Sequence, residues 1–244
     1  MEQDEHMTKQ ERRELRQQEK REEELQRHHS RLIKKWTKIL IMFFVALSIG
    51  GLVWYSATRP TTPTDELLSI KTDDWIKGNK DAQVTLVEYL DFECEACGAY
   101  YPLVKRLSEE YNDRVRFVIR YFPLPGHKNG LPAALAAEAA GKQEKYWEMY
   151  DMLFENQKSW GEKLSPDPSI FEGYAQELGL DLVKFKQDVN SQEVRNRVER
   201  DKSSGVKLGI QGTPSFFLNG KKIENPRGYD DFNALIQLAV DKVQ

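Results

Sequence analysis

The chain has 244 residues, enough for one large domain or two small ones, and a formal net charge of −3. That near-neutral balance excludes the overall basic excess expected of a nucleic-acid-binding protein, so no nucleic-acid partner is expected. Charged residues make up 31% of the chain, as in a soluble protein, with one local exception near the N-terminus.

Residues 1–38 hold 11 Lys/Arg and 9 Asp/Glu. Between residues 8 and 30 the only aliphatic side chains are Leu15 and Leu25, too few and too far apart for a heptad seam. Residues 1–35 are therefore expected to form a solvated, partly helical tail, with docking of a cytosolic partner as the alternative. From Ile39 to Tyr55 there is no charged side chain, and with its flanks the run approaches the ~20 residues that span a bilayer. Trp36 at one end and Trp54 and Tyr55 at the other suit the headgroup region. Arg31, Lys34, Lys35 and Lys38 precede the run, while only Arg59 follows closely. The positive-inside rule then puts the tail in the cytoplasm and the remainder outside it. A single-pass signal anchor over residues 36–58 in the cell membrane is expected. A cleaved leader fits poorly, because a long charged segment precedes the run and Trp54-Tyr55-Ser56-Ala57 is a poor cleavage site. A core helix would show a polar face, which this run lacks.

Arg59-Pro60-Thr61-Thr62-Pro63-Thr64 opens a linker expected to be extended over 59–70, since its prolines stiffen the backbone. A folded domain over 71–244 follows. Val84–Leu90 and Val115–Tyr121 are short, nearly continuous apolar runs, as in strands buried on both faces. Between them, Tyr101, Val104, Leu107, Ser108 and Tyr111 recur at helical spacing. Strand, helix and strand in that order predict an α/β domain with parallel pairing. Helices are expected over 131–140, 146–154, 170–178, 182–189 and 194–208. The aromatic series Tyr146, Trp147, Tyr150 and Phe154 is read as helix core. Ser215–Leu218 then returns to strand, with a two-residue Asn219-Gly220 turn into Lys221–Ile223. A last helix covers 229–240.

The chemistry rests on the sequence Cys94-Glu95-Ala96-Cys97, which contains the only two cysteines in the chain. On a helix such a pair has Cβ atoms roughly 5–6 Å apart, slightly beyond disulfide spacing, so a small local change closes or opens the bond. Redox cycling needs one thiolate to attack and a neighbour to resolve the mixed disulfide. The pair also follows a strand and opens a helix, where free N–H groups favour a thiolate. Zinc would need two more ligands, and His6, His28 and His29 lie on the other side of the expected span. Haem attachment would need His at position 98, which is Gly98. No metal or organic cofactor is implied, and a purely structural bridge would close too small a loop to stabilise much.

The segment Val87-Glu88-Tyr89-Leu90-Asp91-Phe92-Glu93-Cys94-Glu95-Ala96-Cys97 resembles the active site of the DsbA-like thiol–disulfide oxidoreductases, particularly their membrane-anchored or secreted bacterial group. Phe122-Pro123-Leu124-Pro125-Gly126-His127, the stretch around 133–141 and Gly212-Thr213-Pro214-Ser215-Phe216 match further family segments in the same order. The resemblance covers roughly Trp75 to the C-terminus. It implies a thioredoxin-like fold with a helical insertion, Cys94 as nucleophile and Cys97 as resolving residue. It also implies that Thr213-Pro214 is a cis-proline loop offering backbone groups to a substrate peptide, and that Glu88 is a buried carboxyl relaying protons to Cys97. His127 is expected to be a hydrogen-bonded structural residue. The strongest oxidants of the family resemble Cys-Pro-His-Cys here; Glu95, with Glu93 and Asp91 nearby, is instead expected to raise the pKa of Cys94 and give a milder oxidant.

The resulting expectation is disulfide exchange with exported proteins carrying thiols or disulfides, regenerated by a membrane redox partner. Two rivals stand beside it. One is a reductase or isomerase of the same fold; the other is a tethered chaperone or binding module whose cysteines are incidental.

Overall fold

The computed structural model describes residues 36–38, 40–51, 64–161, 163 and 167–243. The chain divides into two units, residues 1–61 and 62–244. In the first unit, residues 36–38 and 40–51 are helical (α1). Residues 40–51 extend about 18 Å at the usual helical rise, against about 30 Å of bilayer hydrocarbon. Among the described residues no helix is long and apolar enough to cross a membrane. The expected span of 36–58 includes residues 39 and 52–58, and those, with the tail over 1–35, lie outside the described residues.

The second unit is built on a five-stranded sheet in the order β1-β3-β2-β4-β5. The strands are β1 (Trp75–Gly78), β2 (Val84–Leu90), β3 (Val115–Tyr121), β4 (Ser215–Leu218) and β5 (Lys221–Lys222). β2 and β3 pair in parallel, with Glu88 opposite Ile119. Every other pairing is antiparallel. In both central strands all residues but the second are buried, so their apolar runs carry no alternation. At the far edge, Asn219 and Gly220 both have positive φ, 47° and 79°, the conformation that a two-residue hairpin turn demands. Asn219 also fastens the turn back to β2, where its side-chain oxygen accepts the Thr85 N–H at 2.8 Å.

One face of the sheet is covered by α3 (Glu95–Glu110) and α10 (Tyr229–Asp241). Val84, Leu86, Phe117 and Phe216 pack there against Leu107, Phe232 and Ile236. Side chains alternate along a strand, so Glu88 shares this face with Leu86 while Val87 and Tyr89 point to the other. Those two meet Val118, Phe122, Ile210 and Phe217. Among the described residues, six helices lie between β3 and β4. They are α4 (Gly130–Gly141), α5 (Tyr146–Glu155), α6 (Gln157–Trp160), α7 (Pro168–Glu177), α8 (Leu182–Val189) and α9 (Gln192–Lys207). Alanine-rich α4 is buried along nearly its whole length, which makes it the centre of this layer. Tyr146, Tyr150 and Phe154 pack inside it, as expected, with Trp147 partly exposed at its edge.

Two elements were not anticipated. β1 is an edge strand of four half-buried residues, Trp-Ile-Lys-Gly, with no periodicity to mark it. Residues Thr64–Leu68 form a helix (α2) inside the stretch expected to be an extended linker. Its Leu67 and Leu68 are buried, and the Arg120 guanidinium donates to the carbonyls of Leu67 and Ser69 at 2.5 and 2.7 Å. Arg120 is itself 1% exposed and pairs with Asp74 at 2.8 Å. Removing one partner of a buried pair strands the other charge, at a typical cost of about 3–5 kcal/mol. Asp74→Ala is therefore expected to lower stability to urea by about that much; a loss below about 1 kcal/mol would show that the carbonyls alone satisfy Arg120.

Candidate active site

The redox pair sits where β2 ends and α3 begins. Cys94 is the N-cap of α3, with extended backbone (φ −68°, ψ 118°) and no side-chain cap bond. Its carbonyl accepts the Gly98 N–H at 3.0 Å, so the first turn wraps around both sulfurs. Both thiols are free; Cys94 retains slight exposure at 8% and Cys97 none. Only Cys94 can therefore be reached from outside. The Thr213–Pro214 bond is cis, as the family resemblance implies, and the Cys94 thiol donates to the Thr213 carbonyl at 3.3 Å.

The two sulfurs differ sharply in proton affinity. The Cys97 thiol donates toward the Cys94 sulfur, and this contact does most to lower the Cys94 pKa. Burial opposes it, while the Thr213 side chain and the N–H groups of Cys97 and Ala96 add to it, leaving a value of about 5. Cys97 moves the other way, well above an ordinary thiol, because it is buried, gives its hydrogen to Cys94, and faces the negative charges of Cys94 and Glu88. The Glu88 carboxyl, 3% exposed, is raised to about 8 by burial and then by the Cys94 thiolate. Its Oε2 has no hydrogen-bond partner. A neutral carboxyl beneath a thiol that must gain and lose a proton is suitably placed to supply one.

The lowered Cys94 pKa corrects the expectation that neighbouring acids would raise it, because the fold spends those acids elsewhere. Glu93 accepts from the N–H groups of Asn129 and Gly130 at 2.6 and 2.9 Å and from Asn129 Nδ2 at 3.0 Å. Its charge thus rests on the N-terminus of α4. Asp91 accepts from the Glu93 and Leu124 N–H groups at 2.9 and 2.8 Å and pairs with His127 Nδ1 at 2.7 Å. Glu95 points into solvent. His127 is thus hydrogen-bonded, as expected. Through Asp91 it steadies the turn, and it borders a cavity of about 520 Å³ beside Cys94. On the other side of the loop, a cavity of about 670 Å³ runs past Thr213 and Pro214 to β5, where an extended peptide could lie.

Among the described residues no cluster of three or more metal-ligating side chains forms. Nothing in the linear pattern marks Asn129, which holds Glu93, or Gln157, whose amide reaches the Cys94 turn from far along the chain. Neither belongs to a local motif; only the folded insertion brings them to the sulfurs.

The sequence model described as thioredoxin matches residues 71–238. The chain belongs to the thioredoxin family. Among its thioredoxin-family relatives, the probable disulfide bond formation protein D of Bacillus anthracis is 31% identical over 210 residues, covering 84% of this chain and 93% of that protein. The Na(+)/H(+) antiporter NhaA of Herminiimonas arsenicoxydans is 42% identical over 192 residues, 76% of this chain, but the chain spans only 30% of that relative's length. The crystal structure of alpha-DsbA1 from Wolbachia pipientis superposes with a TM-score of 0.66 at 25% identity, covering 74% of this chain and 100% of that one. These likenesses, with the sulfur geometry, support thiol–disulfide oxidoreductase chemistry for this thioredoxin-family site.

The pKa shifts have a consequence for stability of the reduced protein. Glu88 is raised from 4.5 to about 8, so the folded state holds its proton longer, and that stabilisation fades as pH rises from about 4.5 through 8. Cys94 is lowered from 9.0 to about 5, so its stabilisation is complete above 9 and is lost as pH falls toward 5. Between about 5 and 8 these two contributions slope in opposite directions and offset each other. Glu88→Gln removes one of them, so reduced variant protein is expected to gain stability with rising pH across that window, by up to about 1.4 kcal/mol per pH unit. Urea titrations of both proteins at pH 5, 6.5 and 8 read this directly, and a variant with the same pH slope as the parent would remove Glu88 from the proton balance.

Proposed function

We propose that this chain is an extracytoplasmic protein thiol–disulfide oxidoreductase that introduces disulfides into exported proteins through Cys94 and Cys97. The observation that carries the reading is the opposed acidity of two sulfurs of which only one is accessible. A substrate thiolate attacks Cys94 Sγ of the oxidised pair, forming a mixed disulfide and breaking the Cys94–Cys97 bond. The electron pair leaves on Cys97, and the buried sulfur takes a proton, with the Glu88 carboxyl as its source. A second substrate thiolate then attacks the substrate sulfur, completing the substrate disulfide and expelling Cys94 as a stable thiolate. Two electrons pass from substrate to the pair, and a membrane redox partner would take them on. The groove along Thr213, Pro214 and β5 offers the substrate backbone a place to lie during both steps.

Stabilising the Cys94 thiolate stabilises the reduced form and makes the disulfide more oxidising. A pKa of about 5 falls between the roughly 7 of thioredoxin and the roughly 3.5 of the strongest oxidants. The reduction potential is therefore expected between about −270 and −120 mV, still milder than a Cys-Pro-His-Cys enzyme. A value at the thioredoxin end would favour a reductase. Cys97→Ala should accumulate mixed disulfides with exported proteins, while Cys94→Ser should form none and should lose oxidation of a reduced test protein. Activity undiminished in Cys94→Ser would point to the incidental-cysteine alternative.

Residues 36–58 are proposed to anchor this domain to the cell membrane, with residues 1–35 in the cytoplasm. The uncharged run and its basic N-terminal flank support this. So do the exposed apolar side chains of α1, from Leu40 to Ile49, which leave no polar face. The chain should stay in the membrane fraction through alkaline carbonate, and protease added to the outer side of intact cells stripped of their wall should remove the thioredoxin-family domain. Release by carbonate would dismiss the anchor.

A further inference from the structure

We propose that Gln157 is a positioning residue that holds the turn aiming the Ala96 and Cys97 amides at the attacking sulfur, and that position 98 is glycine so that Gln157 can reach it. The inference rests on the redox reading above and adds a residue that no local motif contains. Gln157 opens α6, a single helical turn in the insertion. Its side-chain NH2 donates to the Phe92 carbonyl at 2.7 Å and to the Cys94 carbonyl at 2.9 Å. One amide group thus uses both hydrogens on the carbonyls of the two residues either side of Glu93.

Nothing in Cys94 itself performs this task. As an N-cap it supplies no side-chain oxygen to its own helix; its carbonyl is held within the helix by the Gly98 N–H, and a second donor comes from outside. Asp91 and Glu93 hold the preceding residues through N–H groups, and Gln157 holds the carbonyls. The Gln157 Oε1 meanwhile lies against Gly98: a Cβ there would come within 2.2 Å of it. Any other residue at 98 would push the amide away. The neighbour at risk is the end of a flexible side chain, so the backbone need not break when this happens.

Losing the strut releases the Phe92 carbonyl and leaves the Cys94 carbonyl to the Gly98 N–H, so the turn loosens and the amides that stabilise the thiolate shift with it. The thiolate becomes less favourable, the disulfide harder to reduce, and the potential more negative. Gln157→Glu replaces both donors with acceptors facing two carbonyls, while Gln157→Leu removes the donors at similar size and serves should the former not fold.

The test is the pH profile of Cys94 alkylation by iodoacetamide in the reduced full-length chain, read together with the reduction potential. The parent midpoint of about 5 should move to about 6, a tenfold change in proton affinity, in the Gln157 variants. Gly98→Ala should shift it in the same direction, and Gly98→Ala combined with Gln157→Leu should shift it no further than either alone. A purely structural role would lower the melting temperature and leave the midpoint in place. Unmoved midpoints in folded variants of a parent that titrates near 5 overturn this proposal and leave the oxidoreductase reading standing. Additive shifts overturn the link to Gly98. A parent midpoint near that of a free thiol overturns both readings together.

Discussion

The site depends on two sulfurs that share one hydrogen unequally. Cys97 keeps the proton and points it at Cys94, which holds the charge. This division requires that one sulfur be sealed and the other left slightly accessible, and the junction of β2 with α3 provides both positions. The helix mouth supplies N–H groups, the cis-proline loop closes over the sulfur, and the sheet puts Glu88 underneath. Exchanging the two positions would leave the buried sulfur charged and the exposed one inert. The order nucleophile first, resolver second is thus a property of where a helix starts.

The acids around the pair show how misleading nearest neighbours can be. In the linear chain Asp91, Glu93 and Glu95 crowd Cys94 with negative charge. Once folded, Glu93 caps α4, Asp91 ties Leu124 to His127, and Glu95 is hydrated. Two of the three have become fasteners that lock the active-site turn to the insertion. Their charge is met by backbone N–H groups and by His127, which leaves the donors at the helix mouth to set the acidity of the sulfur.

Much of this was legible from the residues alone, for physical reasons. β2 and β3 are continuous apolar runs, the Asn219-Gly220 turn has few conformational alternatives, and a cysteine pair between strand and helix has few chemical ones. The family segments located the Thr213-Pro214 loop and Glu88 in the order in which the fold assembles them. What escaped notice lacks a local signal. β1 is too short and too evenly half-buried to show a period, and α2 is helical although prolines precede it, because Arg120 reaches out from β3 to collect its carbonyls. Gln157 and Asn129 matter through contacts that cross the insertion, which spacing along a chain does not encode. The acidity of Cys94 departs from the sequence expectation for the same reason, since a linear chain shows how many charges lie near and not where they point.

Arg120 has one further consequence. It lies on β3, in the middle of the sheet, yet its guanidinium grips the carbonyls of Leu67 and Ser69, just inside the point where the chain enters this unit. Any tug arriving from upstream therefore lands on a bolt seated between the central strand and Asp74, well before it reaches the sulfurs. Under the proposed anchoring, a pull along the chain would meet Arg120 and Asp74 before it met the active-site turn.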